Sequence, residues 1–384
     1  MYRTILARTG QQSIEYGLAE IYSQNLAQYA EEAFAYYKAQ LEKHQTPELY
    51  FYAATALRQM GQYAQARAYY QELLTLNPDD MDGLNGLAHL SDALGCYDDS
   101  LLYIDQAMEA MDRSGTVHTW LIEHKLLILL RRNECDAAIA FVDEAVRRFG
   151  YSDGFARKFE IYCQFGMWDQ IQKHIADRKK AGFVDVELHK AQGRFHLLRG
   201  ELFRSALAMG KLKHRLSFEE IQDYRLQLND LECNHKRMLQ IRTRRAQENP
   251  NDDYVLMNFA ESLWRTGNKE SAVKIAEKAL AIQNETLKMH LVDEAMIRSR
   301  RSLLLAMVGR VEEAYAELEH TRSLPLCEHC EYCRCKDADI FEAQIEELLG
   351  NTQRAKELYL KGKENWPDEP DFLAGLARMK KKGK

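Results

Sequence analysis

The sequence predicts an all-α chain made of repeated helix pairs, and three observations predict it. Its 384 residues include only six prolines, and Ala, Leu, Glu, Gln, Lys and Arg, which favour helices, are abundant. Runs of Val, Ile or Thr that would indicate strands are few. Turn residues recur at intervals of roughly 34 residues, a period typical of helical repeats. The expected fold is therefore an α-α superhelix of about ten helix-turn-helix repeats.

The clearest repeat is YFYAATALRQMGQYAQARAYYQELLTLNPDD, residues 50–80, which predicts two helices joined at Gly61 and ended by Pro78. The triplet Gly-Cys-Tyr at Gly95 repeats the triplet Gly-Gln-Tyr at Gly61 one period later. Further turn residues follow at Asn133, Gly166, Gly200, Gly267, Gly309 and Gly350. The interval between Gly200 and Gly267 is nearly two periods long, so a degenerate repeat is expected to turn near Asn234.

This pattern resembles the tetratricopeptide repeat (TPR), which places small residues, a glycine turn, an aromatic residue, an alanine and a late proline over about 34 residues. Ala53 and Ala66 would let antiparallel helices approach closely. Gly61 would supply the left-handed turn without steric cost. The resemblance runs from about Ser13 to Lys382 and implies a scaffold that holds a partner in its concave groove.

The repeats predict four segments along the chain. Residues 1–46 hold N-terminal helices and a divergent first repeat, and residues 47–324 hold the main repeats, with the degenerate one near 219–252. A cysteine-rich inter-repeat loop spans 325–336. The last repeat and a C-terminal capping helix occupy 337–384, where KKKGK is expected to form a polar, solubilising end.

The resemblance implies that positions 2, 5, 9 and 12 of each first helix, counted from Pro47 in the clearest repeat, face the groove. The residues that we expect to contact a partner mix aromatic anchors with charges of both signs, which suits a protein or peptide ligand. They are Phe51, Arg58, Asn85, His89, Trp120, Glu123, Lys190, Arg194, Tyr254 and Trp264. The alternative is that some of these side chains pack against the neighbouring repeat.

Charge and motifs argue against several function classes. The net charge is −6, and acidic neighbours dilute the basic clusters 235–245 and 297–301, so a nucleic-acid partner is not expected. The sequence has neither a signal peptide pattern nor an apolar run of membrane-spanning length, which predicts a soluble, cytoplasmic protein without a membrane partner. It carries no Gly-rich phosphate loop, nucleophile elbow or His-Glu-x-x-His pattern, so we do not expect an enzyme.

The segment CEHCEYCRCK, residues 327–336, gathers four of the eight cysteines. Cys327, Cys330, Cys333 and Cys335 could form the tetrahedral thiolate shell of a structural zinc ion, with His329 as a substitute ligand. All four ligands are crowded into this one short segment, however, whereas strong zinc motifs separate two pairs. The remaining alternatives are redox-active thiols before a helix start and cysteines that only pack as small apolar groups.

The sequence therefore predicts a non-enzymatic scaffold that binds a protein or peptide in a concave groove, with a metal staple in the cysteine loop. The alternative is a regulatory sensor, in which a peptide, a metal ion or oxidation at the cysteine loop changes partner binding. The sequence does not identify the partner, its pathway or the oligomeric state.

Overall fold

The computed structural model describes residues 26–288, 294–327 and 330–382, and within these ranges it contains 20 α-helices and no β-strand. The all-α prediction is confirmed. The helices are α1 (Leu26–Leu41), α2 (Pro47–Gln59), α3 (Tyr63–Leu76), α4 (Met81–Ala93), α5 (Tyr97–Ser114), α6 (Thr119–Arg131), α7 (Cys135–Phe149), α8 (Gly154–Gln164), α9 (Trp168–Lys180), α10 (Val186–Leu198), α11 (Leu202–Gly210), α12 (Phe218–Leu231), α13 (His235–Glu248), α14 (Asp253–Arg265), α15 (Lys269–Leu287), α16 (Glu294–Met307), α17 (Val311–Ser323), α18 (Lys336–Leu348), α19 (Thr352–Asn365) and α20 (Pro370–Lys382).

Left-handed residues separate the two helices of each pair. All of the predicted turn residues except Asn234 have positive φ, from Gly61 (+70°) and Asn133 (+61°) to Gly350 (+85°). In the degenerate repeat the left-handed residue is Cys233 (φ +54°), one position before the predicted Asn234. The Asn234 side chain instead accepts a hydrogen bond from the Arg237 amide and caps α13.

Side-chain caps begin several first helices, because the first backbone N–H groups of a helix have no partner within it. Thr46, Asp80 and Asp252 each accept a hydrogen bond from the amide three residues later, at the starts of α2, α4 and α14. Ser217 and Glu220 form a full capping box at the start of α12. The degenerate repeat thus has a well-defined start although its turn residue is not glycine.

The chain divides into two compact units. The first comprises the residues up to Arg132 together with Glu285–Glu294 and Pro325–Cys333. Its helices pack through small residues, as a TPR predicts: Ala53, Ala54 and Ala66 are fully buried. Tyr70 fills the space over Gly86, where a Cβ atom would lie 2.3 Å from the tyrosine ring.

The second unit comprises Asn133–Asn284, Ala295–Leu324 and Arg334–Lys384. One apolar cluster of this unit runs from Ala246 in α13 to Ile345 in α18. The last helix, α20, packs against α19 and α18 and also against α10 and α12. Gly375 lies under Tyr359 with the same 2.3 Å approach and the same sequence spacing as Gly86 under Tyr70. Helix α20 therefore packs as the first helix of a further repeat.

Candidate functional site

The second unit encloses a cavity of about 660 Å³. The first helices of five successive pairs, α10, α12, α14, α16 and α18, contribute side chains to its wall, as do α13, α20 and the residues just before α20. Because α20 packs back onto α10 and α12, the wall continues from the first of these helices to the last. These helices thus form one continuous inner surface around the cavity.

The cavity wall repeats the same positions of the TPR register. Residues at positions 2, 5, 9 and 12 line it in several repeats, because residues three to four apart share one face of a helix. They include Arg194, Leu197, Asp223, Gln227, Asp230, Tyr254, Met257, Glu261, Leu303, Asp337, Ile340, Gln344, Asp371 and Ala374. The register that the repeats imply therefore identifies the inner surface of this unit.

A second cavity of about 500 Å³ shares Glu261, Leu303 and Gln344 with the first. Its wall includes Trp264, and the ammonium group of Lys269 lies 4.9 Å from the centre of the indole ring. This distance is typical of a cation–π contact. The two cavities thus form neighbouring parts of one inner surface.

A buried arginine ties α20 to the repeats around it. Arg378 is 4% exposed, and its guanidinium donates to Asp230 (2.8 Å), Glu347 (3.0 Å) and the Tyr359 hydroxyl (3.2 Å). The Tyr359 hydroxyl in turn donates to Glu347 at 2.8 Å. Two carboxylates and a hydroxyl thus satisfy the charge of Arg378, which is what a buried ion needs.

A second buried network lies between α13 and α14. Arg242 and Arg265 both donate to Glu261, at 2.7 and 2.5 Å. Burial opposes ionisation of Glu261, but the two guanidinium groups hold the pKa of its carboxyl well below the usual value. Glu261 is therefore a fixed negative charge on the cavity wall, and its partners already neutralise it.

Two further carboxyl groups on the wall behave differently. Burial raises the pKa of Asp371 to about 8, and the nearby Glu369, Asp230 and Glu261 add to the rise while Arg378 opposes it. Burial also raises the pKa of Asp337. Both side chains therefore favour the neutral form more strongly than a solvated carboxyl does.

Four of the predicted partner-binding residues lie in the second unit. Arg194 and Tyr254 line the larger cavity, and Trp264 lines the smaller one. Tyr254 is 48% exposed and stacks with the guanidinium of Arg300, 4.3 Å from its ring centre. Lys190 pairs with Glu220 at 3.2 Å. Contact of these residues with a partner stays a prediction.

The other six lie in the first unit. His89 stacks on His124, with ring centres 3.9 Å apart, and Asn85 is hydrogen-bonded to His124 at 2.6 Å. Phe51 contacts the aromatic rings of Tyr52 and Tyr70. The remaining three, Arg58, Trp120 and Glu123, are half-buried. Phe51, Asn85 and His89 thus pack within the unit, as the alternative interpretation allowed, and their contact with a partner also stays a prediction.

The cysteine loop is held by backbone contacts. In the first unit, the guanidinium of Arg131 donates to the carbonyl oxygens of Cys330 (2.7 Å) and Cys327 (2.5 Å), and it also pairs with Asp92. Cys333 is exposed. Cys335, in the second unit, packs against the apolar cluster of that unit. Packing, the third of the alternatives, therefore describes Cys335.

Within the ranges that the structure covers, no group of three or more His, Cys, Asp or Glu side chains is arranged to hold a metal ion. The four cysteines of the loop are thiols and form no disulfide with any described residue. His329, the substitute zinc ligand, lies outside the described residues. The zinc staple stays a prediction, and so does a sensor based on it.

Sequence reasoning missed Arg378, Asp230, Asp337 and Asp371. Each stands at position 2, 9 or 12 of the register, so the same count applied to the last repeat and to α20 would have identified three of them. Asp230 was missed because its repeat is hard to recognise, since a cysteine replaces glycine at the turn. Arg378 was hidden because it directly precedes the basic end of the chain, which we interpreted as a solvated terminus.

Among the helices that the structure describes, none is long and apolar enough to cross a membrane.

The fold defines a helical repeat protein. Family models of the tetratricopeptide repeat match residues 47–80 and 254–286. These matches coincide with α2–α3 and α14–α15, and the chain is a tetratricopeptide repeat protein. No curated protein matches the sequence significantly.

The solved structures that match this chain share little sequence with it. A structure of Naa15/Naa10 bound to HypK-THB is 13% identical over 96% of this chain and 61% of that one, with a TM-score of 0.36. Yeast Tom70 is 13% identical over 95% of this chain and 94% of that one, with a TM-score of 0.35. YrrB, a TPR protein with an unusual peptide-binding site, is 13% identical over 66% of this chain and 95% of that one, with a TM-score of 0.26. The chain thus spans less than two thirds of the first of these relatives.

Proposed function

We propose that this chain is a non-catalytic protein-interaction scaffold whose second unit binds a peptide segment of a partner on its inner surface. The tetratricopeptide repeats support the general role, because such repeats form extended binding surfaces. The observation that carries the specific site is the 660 Å³ cavity, whose wall combines apolar side chains with charged groups of both signs. Its volume lies within the range of about 300–1,000 Å³ that is typical of ligand sites.

The arrangement of the two cavities favours an extended segment as the ligand. They share Glu261, Leu303 and Gln344, so they are neighbours on one surface. Successive side chains of an extended segment alternate in direction and can occupy both cavities.

Tyr254 is the anchor that we propose for an apolar side chain of the partner. Aromatic residues carry much of the energy of interfaces, because they bury a large area and lose little conformational freedom. The stacking of Arg300 on one face of the ring restricts its position before any partner binds. The 48% exposure of Tyr254 leaves surface for a partner to cover.

Selection from a displayed library of random peptides tests the proposal with the full chain as bait. The wild-type chain is expected to enrich a shared sequence motif, and Tyr254→Ser should lose at least tenfold in affinity for it, or about 1.4 kcal/mol. The matched control is Phe203→Ser, which removes an 82% exposed aromatic ring from α11 that is not part of either cavity. The proposal would be contradicted if the wild-type chain enriched no motif. It would also be contradicted if Phe203→Ser lost affinity for the motif and Tyr254→Ser did not.

A further inference from the structure

Most charges on the wall of the larger cavity are neutralised by the protein itself. Arg242 pairs with Glu261 at 2.7 Å, Arg245 pairs with Asp223 at 2.7 Å, and Arg378 pairs with Asp230. Lys336 pairs with Glu369 at 2.6 Å. These pairs leave little free charge for a partner, so the residues without such pairs determine what the cavity attracts.

Among the carboxyl groups of this wall, Asp337 and Asp371 are the exceptions. Among its cations, Arg300 forms no salt bridge with a described residue and stacks on Tyr254. Neither carboxyl group forms a salt bridge or accepts a hydrogen bond within the parts of the chain that the structure covers. Asp337 lies in the first turn of α18 and Asp371 in the first turn of α20, and both line the same cavity. Helix starts favour a negative charge, but these carboxyls are also substantially desolvated, which makes an opposite charge valuable.

Gln344 provides a further hydrogen-bond acceptor on the same wall. Its Oε1 atom is buried and accepts no hydrogen bond from any described residue, and Gln344 lines both cavities. Gln344 follows Asp337 by two helical turns, which places both residues on the same face of α18. A buried acceptor without a donor is destabilising, and a donor on a bound partner would remove this cost.

The hydrogen-bond acceptors on this wall suit a cation that carries several hydrogen-bond donors. A guanidinium carries five N–H groups in a fixed plane and no acceptor, whereas an ammonium carries three donors. The protein already uses this chemistry next to the cavity, where Arg378 donates to Asp230, Glu347 and Tyr359. A neutral or acidic side chain would leave the same carboxyls without a hydrogen-bonded cation.

We propose that the larger cavity selects a basic side chain, arginine before lysine, from the bound segment, with Asp337, Asp371 and Gln344 as its acceptors. This inference rests on the proposed peptide-binding function and adds the chemical class of the ligand. The carboxyls at the starts of α18 and α20 would ionise and pair with the guanidinium as it enters.

Oriented peptide libraries test the selection. Octapeptides with random flanks carry Arg, Lys, Gln or Glu at one fixed central position, and binding to the full chain is measured for each pool. Wild type is expected to prefer the Arg pool to the Gln pool by about tenfold or more, as charge-assisted hydrogen bonds would give. The preference should fall below about threefold in the double variant Asp337→Asn/Asp371→Asn, because neutral amides attract a cation much less.

The matched control is Asp177→Asn, which makes the same substitution at an exposed position of α9 outside both cavities. It should keep the full preference. The double variant is expected to fold at least as stably as wild type, because it removes two buried carboxyls that are costly to ionise. Loss of its preference would then reflect recognition rather than unfolding, which far-UV circular dichroism checks.

The outcomes separate this inference from the proposed function. If binding depends on Tyr254 but the chain shows no preference for a basic side chain, the inference is wrong and the proposed peptide site is still supported. An Arg preference that the double variant retains would also overturn it, because other residues would then supply the selection. Failure of every pool to bind would contradict the proposed function itself.

Discussion

Arg378 should be the most sensitive single position of the second unit. Arg378→Met keeps much of the apolar stem but removes the guanidinium, which leaves Asp230 and Glu347 as buried carboxylates without this partner. Breaking one side of a buried ion pair costs about 3–5 kcal/mol, because the remaining charge stays desolvated. We therefore expect a loss of stability in that range, centred on α20 and the helices that it contacts.

Urea unfolding followed by circular dichroism and tryptophan fluorescence measures this loss, and hydrogen exchange locates it. Repeat arrays can unfold in parts, so exchange in α20 is the more specific readout. The matched control is Lys274→Met, whose pair with Glu270 is 69% and 83% exposed and should contribute less than about 1 kcal/mol. If Arg378→Met costs no more than Lys274→Met, the buried network does not hold α20 in place.

Three further substitutions test other parts of the structure. Gly375→Ala puts a Cβ atom 2.3 Å from Tyr359 and should lower the unfolding free energy by about 1–3 kcal/mol, whereas Gly210→Ala, with open space around it, should be neutral or stabilising in the same urea titration. Cys233→Gly should raise the unfolding free energy by about 1 kcal/mol because position 233 is left-handed, and an unchanged midpoint would contradict that geometry. Asp371, with a pKa raised from 3.8 to about 8, keeps a proton that the unfolded chain has lost, so this group's contribution to stability declines as pH rises from about 4 to about 8. As pH rises across this range, the melting temperature should fall less steeply for Asp371→Asn than for wild type. Identical slopes of melting temperature against pH would contradict the assignment.

The repeat pattern predicted the helix pairs because each turn needs a left-handed residue and glycine supplies it most easily. Gly61, Gly95 and Gly350 could therefore be identified from spacing alone. Where Asn133 and Cys233 take this role, the signal weakens, and the turn of the degenerate repeat was predicted one residue late. The error arose because asparagine is a common left-handed residue and cysteine is not.

The repeat register predicted which helix positions form the inner surface, but only some of the residues at those positions were identified. The same helical positions that identified Arg194, Tyr254 and Trp264 also hold Asp371 and Arg378, but α20 resembles a polar end of the chain in sequence. Its buried face becomes evident only when Tyr359 and Gly375 are seen to repeat the spacing of Tyr70 and Gly86. That α20 also meets α10 and α12 depends on the curvature of the repeats, which local sequence does not reveal.

Photocrosslinking tests the central claim most directly. The full chain carries p-benzoylphenylalanine at position 254 in one preparation and at position 203 in the other, and each is irradiated with a peptide that the wild-type chain has selected. We predict a covalent adduct from position 254, on the cavity wall, and none from position 203, on exposed α11. Adducts from position 203 alone, or from neither position despite undiminished binding, would contradict a peptide site on the inner surface of the second unit.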